Sequence, residues 1–187
     1  MHIIAGALKG QRLVTPRGHR TRPTADQVRI ALMDTLMPYL DGARFLDVYA
    51  GAGTVGLEAL SRGAAHATFV ERDKAAAASI AANLGRTHLA GARARIVRAE
   101  AIAWLGEPDA AAAGPFGIVV VDPPYAEVDL LGAALDALAP VLAPGARVVA
   151  KHFWRDPPPA QVGLLASERE RRFGETTLTF YRRQEDR

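Results

Sequence analysis

A short apolar run that breaks into a glycine-rich turn constrains this chain more than any other feature. Arg44-Phe45-Leu46-Asp47-Val48 reads as a buried strand, and Tyr49-Ala50-Gly51-Ala52-Gly53-Thr54-Val55-Gly56 carries it into a helix. Glycines let the backbone turn tightly and approach a ligand closely, and the first turn of a helix presents N–H groups with no intrahelical partner. Four more β-rich runs follow at 67–71, 94–97, 117–121 and 147–150, with Ala-rich helical stretches near 54–62, 74–89, 100–105 and 128–139. Strands joined by helices of that length call for right-handed crossovers and a doubly wound, mostly parallel α/β sheet.

The two ends differ from this middle. Ile3-Ile4-Ala5 and Arg12-Leu13-Val14 read as a small β-hairpin about Lys9-Gly10, followed by a basic loop over 16–23. Thr24 is expected to cap a helix whose apolar stripe is Val28, Ala31, Leu32, Leu36, Tyr39 and Leu40, which places Asp26 and Arg29 on the opposite face. Pro38 and Asp41-Gly42 stop it. Near the carboxyl end, Gly163-Leu164-Leu165 and Thr176–Tyr181 read as an antiparallel hairpin. The expected organisation is a hairpin and basic arm over 1–23 and one α/β domain over 24–187.

Chemistry concentrates at strand ends. A G-x-G-x-x-G spacing also occurs in dinucleotide enzymes, so the acids around it decide the reading. Asp47 beside the glycine turn would repel a pyrophosphate but attract the ammonium of a methionine moiety, which favours S-adenosylmethionine over NAD. A helix-capping or turn role for Asp47 is the structural alternative. Glu71, ending the second strand, suits two ribose hydroxyls, or is a plain strand-end charge. Glu100 either accepts from an adenine amine or caps the next helix.

The fourth strand runs into Asp122-Pro123-Pro124-Tyr125. Open α/β sheets bind ligands at the carboxyl ends of their strands, so this turn and the glycine turn should face one crevice. A nucleobase amino group is a poor nucleophile because its lone pair is delocalised into the ring. Acceptors around its N–H bonds, the Asp122 carboxylate and the Pro123 carbonyl, draw the nitrogen towards tetrahedral geometry. Pro123 and Pro124 stiffen the loop, and Tyr125 offers a face for a flipped base. A sulfonium is already an activated electrophile, so no metal is expected.

Charge points to the acceptor. Among the first thirty residues Lys9, Arg12, Arg17, Arg20, Arg22 and Arg29 face Asp26 alone, so in a chain of net charge +3 the remainder is net acidic. A localised basic arm suits a polyanion, although an Arg-rich solvated surface would read the same. There is no cysteine, which excludes disulfides and thiolate metal sites. No apolar run approaches a membrane span, and a soluble, cytoplasmic, monomeric protein is expected.

With these residues in hand, the chain resembles the bacterial RsmD-type family of 16S rRNA guanine-N2 methyltransferases. The likeness rests on Ile3-Ile4-Ala5-Gly6 through Gly10-Gln11-Arg12-Leu13, on Arg22-Pro23-Thr24-Ala25-Asp26-Gln27-Val28-Arg29, and on Gly56-Leu57-Glu58-Ala59-Leu60-Ser61-Arg62-Gly63-Ala64. It implies a seven-stranded Rossmann-like methyltransferase sheet with an antiparallel C-terminal hairpin and an N-terminal hairpin extension. It implies S-adenosylmethionine as cofactor and, as partner, 16S rRNA within the small ribosomal subunit. By position it implies that Asp122, Pro123, Pro124 and Tyr125 hold the guanine, that Asp47, Tyr49, Gly51, Gly53, Glu71 and Glu100 surround the cofactor, and that Arg22, Thr24 and Arg29 lie at the mouth towards substrate. The pattern departs from the family at Ile30, at Glu100, and at Lys151-His152, where many relatives carry an acid. An amino methyltransferase acting on DNA adenine or cytosine is the alternative reading, although little sequence remains here for a target-recognition region.

Overall fold

Why Asp47 and Asp122 end up side by side follows from strand order. The computed structural model describes residues 1–16, 23–89, 91–124 and 128–185, with side chains left out at 23–25 and 128. Among these residues eight strands form one sheet, ordered β3-β2-β1-β4-β5-β8-β7-β6. The strands are β1 (Arg44–Val48), β2 (His66–Val70), β3 (Ala94–Val97), β4 (Phe116–Val121), β5 (Leu142–Phe153), β6 (Gln161–Val162), β7 (Leu165–Phe173) and β8 (Thr176–Arg183). The first five pair in parallel, and β8, β7 and β6 add antiparallel. The chain winds outward from β1 to β3, then crosses back to lay β4 against the other side of β1. That reversal is the switch point at which such sheets open a crevice.

The helices are α1 (Pro23–Leu40), α2 (Thr54–Ser61), α3 (Lys74–Arg86), α4 (Ala101–Leu105), α5 (Pro108–Ala113) and α6 (Val128–Ala137). Period-2 alternation sorts the strand residues onto two cores. Leu46, Val48, Val119, Val121 and Ala150 pack with Trp104, Leu135 and Leu138 on one face. Phe45, Ile118, Val120 and Val149 pack with Leu36, Leu57 and Ile80 on the other. Each of the larger aliphatic and Phe side chains contributes about 1.5–3 kcal/mol by leaving water, and the pattern locks strand register, because a one-residue slip would exchange the two faces.

The sheet has eight strands rather than seven. The extra one is the two-residue β6, and β7 runs from Leu165 through Phe173 across a charged stretch, Ser167–Arg172, that carries no apolar alternation to read. At the amino end, the expected hairpin is a single antiparallel bridge, His2 to Arg12, flanked by Ile3 N–H to Gln11 O, Gly10 N–H to Ile3 O and Leu13 N–H to Met1 O. Helix α1 starts at Pro23, ahead of the expected cap, because proline suits a first helical position whose N–H needs no partner. The side chain of Thr24 lies outside the described residues, as do Arg17, Arg20 and Arg22 of the basic arm. No helix among the described residues is long and apolar enough to cross a membrane.

The amino-terminal bridge is clamped to α2. Glu58, fully buried, accepts from the backbone N–H groups of Ile4 (2.8 Å) and Ala5 (2.9 Å) and from Arg62 Nε (2.9 Å). Ser61 Oγ donates to Ala5 O at 2.6 Å and accepts from Leu8 N–H at 3.0 Å. The close approach requires a glycine at 6, where φ is +82° and a Cβ would stand 2.0 Å from the Ser61 carbonyl oxygen. Asn83 of α3 holds Val14 from the other side, accepting from its N–H at 2.7 Å and donating to its carbonyl at 2.9 Å.

Candidate active site

The glycine turn is built by three glycines with different tasks. Gly51, at φ +55°, has open space where a side chain would stand, so its backbone can be approached. Gly53, at φ +75°, is the left-handed residue that starts α2, and a Cβ there would press on Ile80 and Phe69 at 3.1–3.2 Å. Gly56 lets α2 lie directly on β2, since a Cβ would meet the Phe69 ring at 2.3 Å. The ligand-facing position is therefore Gly51, while Gly53 and Gly56 let the helix close onto the sheet. Tyr49 also takes a left-handed conformation, φ 63°, a strained choice for a bulky residue and one that concentrates at functional turns.

Asp47 follows Phe45 in the strand alternation and so points to the face of α2. Its Oδ2 accepts from the Gly56 N–H at 2.9 Å, which supplies a cap that Gly53 cannot give. The side chain is 2% exposed, and burial, reinforced by the nearby Asp122 and Glu71 carboxylates, pushes its acid up to about 8. Glu71 accepts from Gly51 N–H and from Asp73 N–H, both at 2.8 Å, so it braces the glycine turn from the next strand. Glu100 caps α4 by accepting from Ala103 N–H at 2.8 Å.

The proline turn lies next to this loop. Val48 and Val121 are register partners, and the Asp122 N–H donates to Val48 O at 3.3 Å. Pro123 is buried and Pro124 exposed, while Tyr125 lies outside the described residues. Asp122, two residues beyond Val120, points to the same face as Asp47. Lys151, two beyond Val149 on β5, does so as well, and its Nζ donates to Asp122 Oδ1 (3.0 Å) and Oδ2 (2.8 Å). Sequence reasoning left Lys151 without a role. Its parity with Val149 at a strand end was the available signal.

Two further residues are held within the fold. Arg29 is not on an exposed face of α1. It is 5% exposed, donating from Nη2 to His2 O (2.8 Å) and to Asp26 Oδ1 (3.0 Å), because the amino-terminal segment folds over that side of the helix. Burial lowers its pKa from the ordinary arginine value. His152 is a satisfied core histidine, bonded through Nδ1 to Phe153 O (2.8 Å) and through Nε2 to Thr179 Oγ1 (2.9 Å).

The crevice thus gathers three carboxylates, Asp47, Glu71 and Asp122, around an open glycine backbone, with Lys151 on its β5 side. Such a set of acceptors fits a ligand bringing positive charge and hydroxyl groups, and Asp122 adds an acceptor at the rim for an amine.

The comparisons with known proteins agree with this architecture. A family model described as Conserved hypothetical protein 95 matches residues 1–182. A Bacillus subtilis protein named "Putative rRNA methyltransferase YlbH" is 36% identical over 185 residues, covering 98% of this chain and 99% of that one. The Escherichia coli protein named Ribosomal RNA small subunit methyltransferase D is 40% identical over 125 residues, 67% of this chain and 60% of the relative's length. A solved Escherichia coli structure, "Putative methyltransferase yhhF", superposes with a TM-score of 0.85 at 34% identity and covers 98% of each chain. On the strength of a model match over nearly its whole length, this chain belongs to the Conserved hypothetical protein 95 family, the RsmD-type methyltransferases.

Proposed function

We propose that the protein transfers a methyl group from S-adenosylmethionine to the exocyclic N2 amine of a guanine in 16S rRNA of the small ribosomal subunit. The observation that carries this reading is the juxtaposition at the switch point: Asp47 with its glycine turn on β1, and Asp122 with its proline turn on β4, joined by the Asp122 to Val48 hydrogen bond. When bound, the cofactor supplies a methyl group on a positively charged sulfur. Glu71 and the Gly51 backbone would hold its ribose side, and Asp47 its ammonium. Glu100 has one oxygen committed to Ala103 and would reach an adenine amine only with the other.

Asp122 would accept from one amine N–H and the Pro123 carbonyl from the other, leaving the nitrogen lone pair aimed at the methyl carbon. As the N–C bond forms and the C–S bond breaks, the surplus amine proton passes to Asp122 or to water. Catalysis is alignment of a preformed site, worth factors of 10² or more for about an ångström of misplacement. The sulfonium needs no Lewis acid, and the protein is taken to act as a monomer. Tyr125 would stack on the base, and the arm with Arg22 and Thr24 would grip RNA phosphates. The Bacillus subtilis and Escherichia coli relatives found by sequence carry ribosomal RNA in their names, and neither name favours the duplex-DNA alternative.

The test is methyl transfer from labelled cofactor to small subunits taken from cells lacking the protein, with naked 16S rRNA and duplex DNA as other acceptors, followed by mapping of the label. Label on the N2 of a guanine is expected, with Asp122→Ala lowering transfer by at least about 100-fold while S-adenosylhomocysteine still binds. Label on DNA, or full activity in the variant, would overturn the reading.

A further inference from the structure

Sheet order puts β2 and β5 on opposite sides of the β1–β4 pair, so Lys151 lies across Asp122 from Glu71. On that side is a cavity of about 170 Å³, ample for far more than one water, lined by Asp122, Lys151, Thr54, Val55, Arg29 and Leu178. Its deepest charge is Arg29. One guanidinium nitrogen is spent on His2 and Asp26, but Nε and Nη1 are buried with no hydrogen-bond partner among the described residues. Buried cationic donors left unpaired are costly, and a ligand that offers acceptor oxygen recovers that cost.

We infer that this cavity is the pocket of the acceptor base and that Arg29 donates to the keto oxygen of guanine. The inference rests on the function proposed above and names what that site reads. A guanine presents, along one edge, an amine donor at N2, a ring N–H donor and a keto acceptor at O6. Asp122 takes the donor end, since each carboxylate oxygen can accept a second bond beside the one from Lys151. The opposite end of the edge then needs a donor, which Arg29 supplies. An adenine turned into the same pocket would set its own amine donor against the guanidinium, so the pocket selects a keto purine. Val55 and Leu178 give the ring apolar walls.

The experiment uses full-length protein saturated with S-adenosylhomocysteine and measures binding of guanosine and of 2-aminopurine ribonucleoside, which keeps the 2-amino group and lacks both the keto oxygen and the ring N–H. Wild type is expected to prefer guanosine by about tenfold or more. Arg29→Met should cut the preference by about threefold or more by weakening guanosine alone, with 2-aminopurine and S-adenosylhomocysteine affinities within about twofold, and an unaltered preference would overturn the inference. No preference in wild type overturns the inference. So does a tenfold loss of S-adenosylhomocysteine affinity in a variant of unchanged unfolding temperature, which would assign Arg29 to the cofactor carboxylate. If the Met variant does not fold, Arg29→Lys carries the test: a reduced preference supports the inference and an unaltered one overturns it. A guanine mapped in ribosomal RNA together with no nucleoside preference defeats this inference alone, whereas absence of any transfer defeats the enzymatic reading.

Discussion

Helix α2 has a buried carboxylate at each end, and the two are in opposite circumstances. At its carboxyl half Glu58 is fully buried and receives two backbone N–H groups and Arg62 Nε, and Arg62 in turn reaches Asp34 at 3.0 Å. At its amino end Asp47 is as deeply buried, accepts one N–H, and faces two further carboxylates. The first acid is neutralised by groups of its own chain and serves architecture. The second is left short of positive charge and so holds its proton, because a buried charge without a partner costs several kcal/mol. Under the function proposed above, a cationic ligand would relieve that deficit.

Breaking the satisfied end should give the largest effect. Glu58→Ala would strand two buried backbone donors and the Arg62 guanidinium, for a loss of about 3–5 kcal/mol. In a domain of this size that is a fall of roughly 10 °C in unfolding temperature, measurable by calorimetry. A fall of a degree or two would mean the clamp contributes little. At the other end, Glu71→Ala should leave folding nearly intact and weaken S-adenosylhomocysteine by about 10- to 100-fold, as expected for hydrogen bonds to a charged acceptor. Unchanged affinity by titration calorimetry would remove Glu71 from the cofactor site.

The smallest effect sharpens the comparison through pH. With its acid at about 8, Asp47 in ligand-free protein keeps its proton through neutral pH, whereas the unfolded chain gives it up near 3.8. The unfolded state therefore binds fewer protons between these values, and this group's contribution to stability falls as pH rises from about 4 to about 8. An ammonium placed beside Asp47 favours the ionised form, so ligand binding at pH 7 should release protons. Affinity should rise towards pH 8 by at most about tenfold per unit. Titrations in two buffers of different ionisation heat would show the release, and Asp47→Asn should abolish it. Equal apparent heats in wild type would place the ammonium elsewhere.

How much of this was legible in the sequence depended on range. The strands β1 and β3 could be bounded to the residue, since each is a short β-rich run with a glycine a few residues before it. Asp47, Glu71 and Asp122 could be named because each ends a strand. Glu58 could not be singled out, because its partners lie 53 and 54 residues away in the chain. The enclosure of Arg29 was hidden for a related reason: the helix pattern of α1 records which face is apolar, not that the amino-terminal segment will fold over the other. The strand β7 was hidden by its charges, which a sheet-edge region tolerates because one side is wet.

By itself, then, the sequence determined the sheet's parallel half, the turn chemistry and the acids at strand ends, all consequences of periodicity and backbone preference within some ten residues. Tertiary structure alone decided that β4 lies against β1, that Lys151 grips Asp122, and that Arg29 is enclosed with donors to spare. Local propensity carries no record of which distant segments will share a face, and the burial that raises Asp47 and isolates Arg29 exists only once those segments have excluded water together.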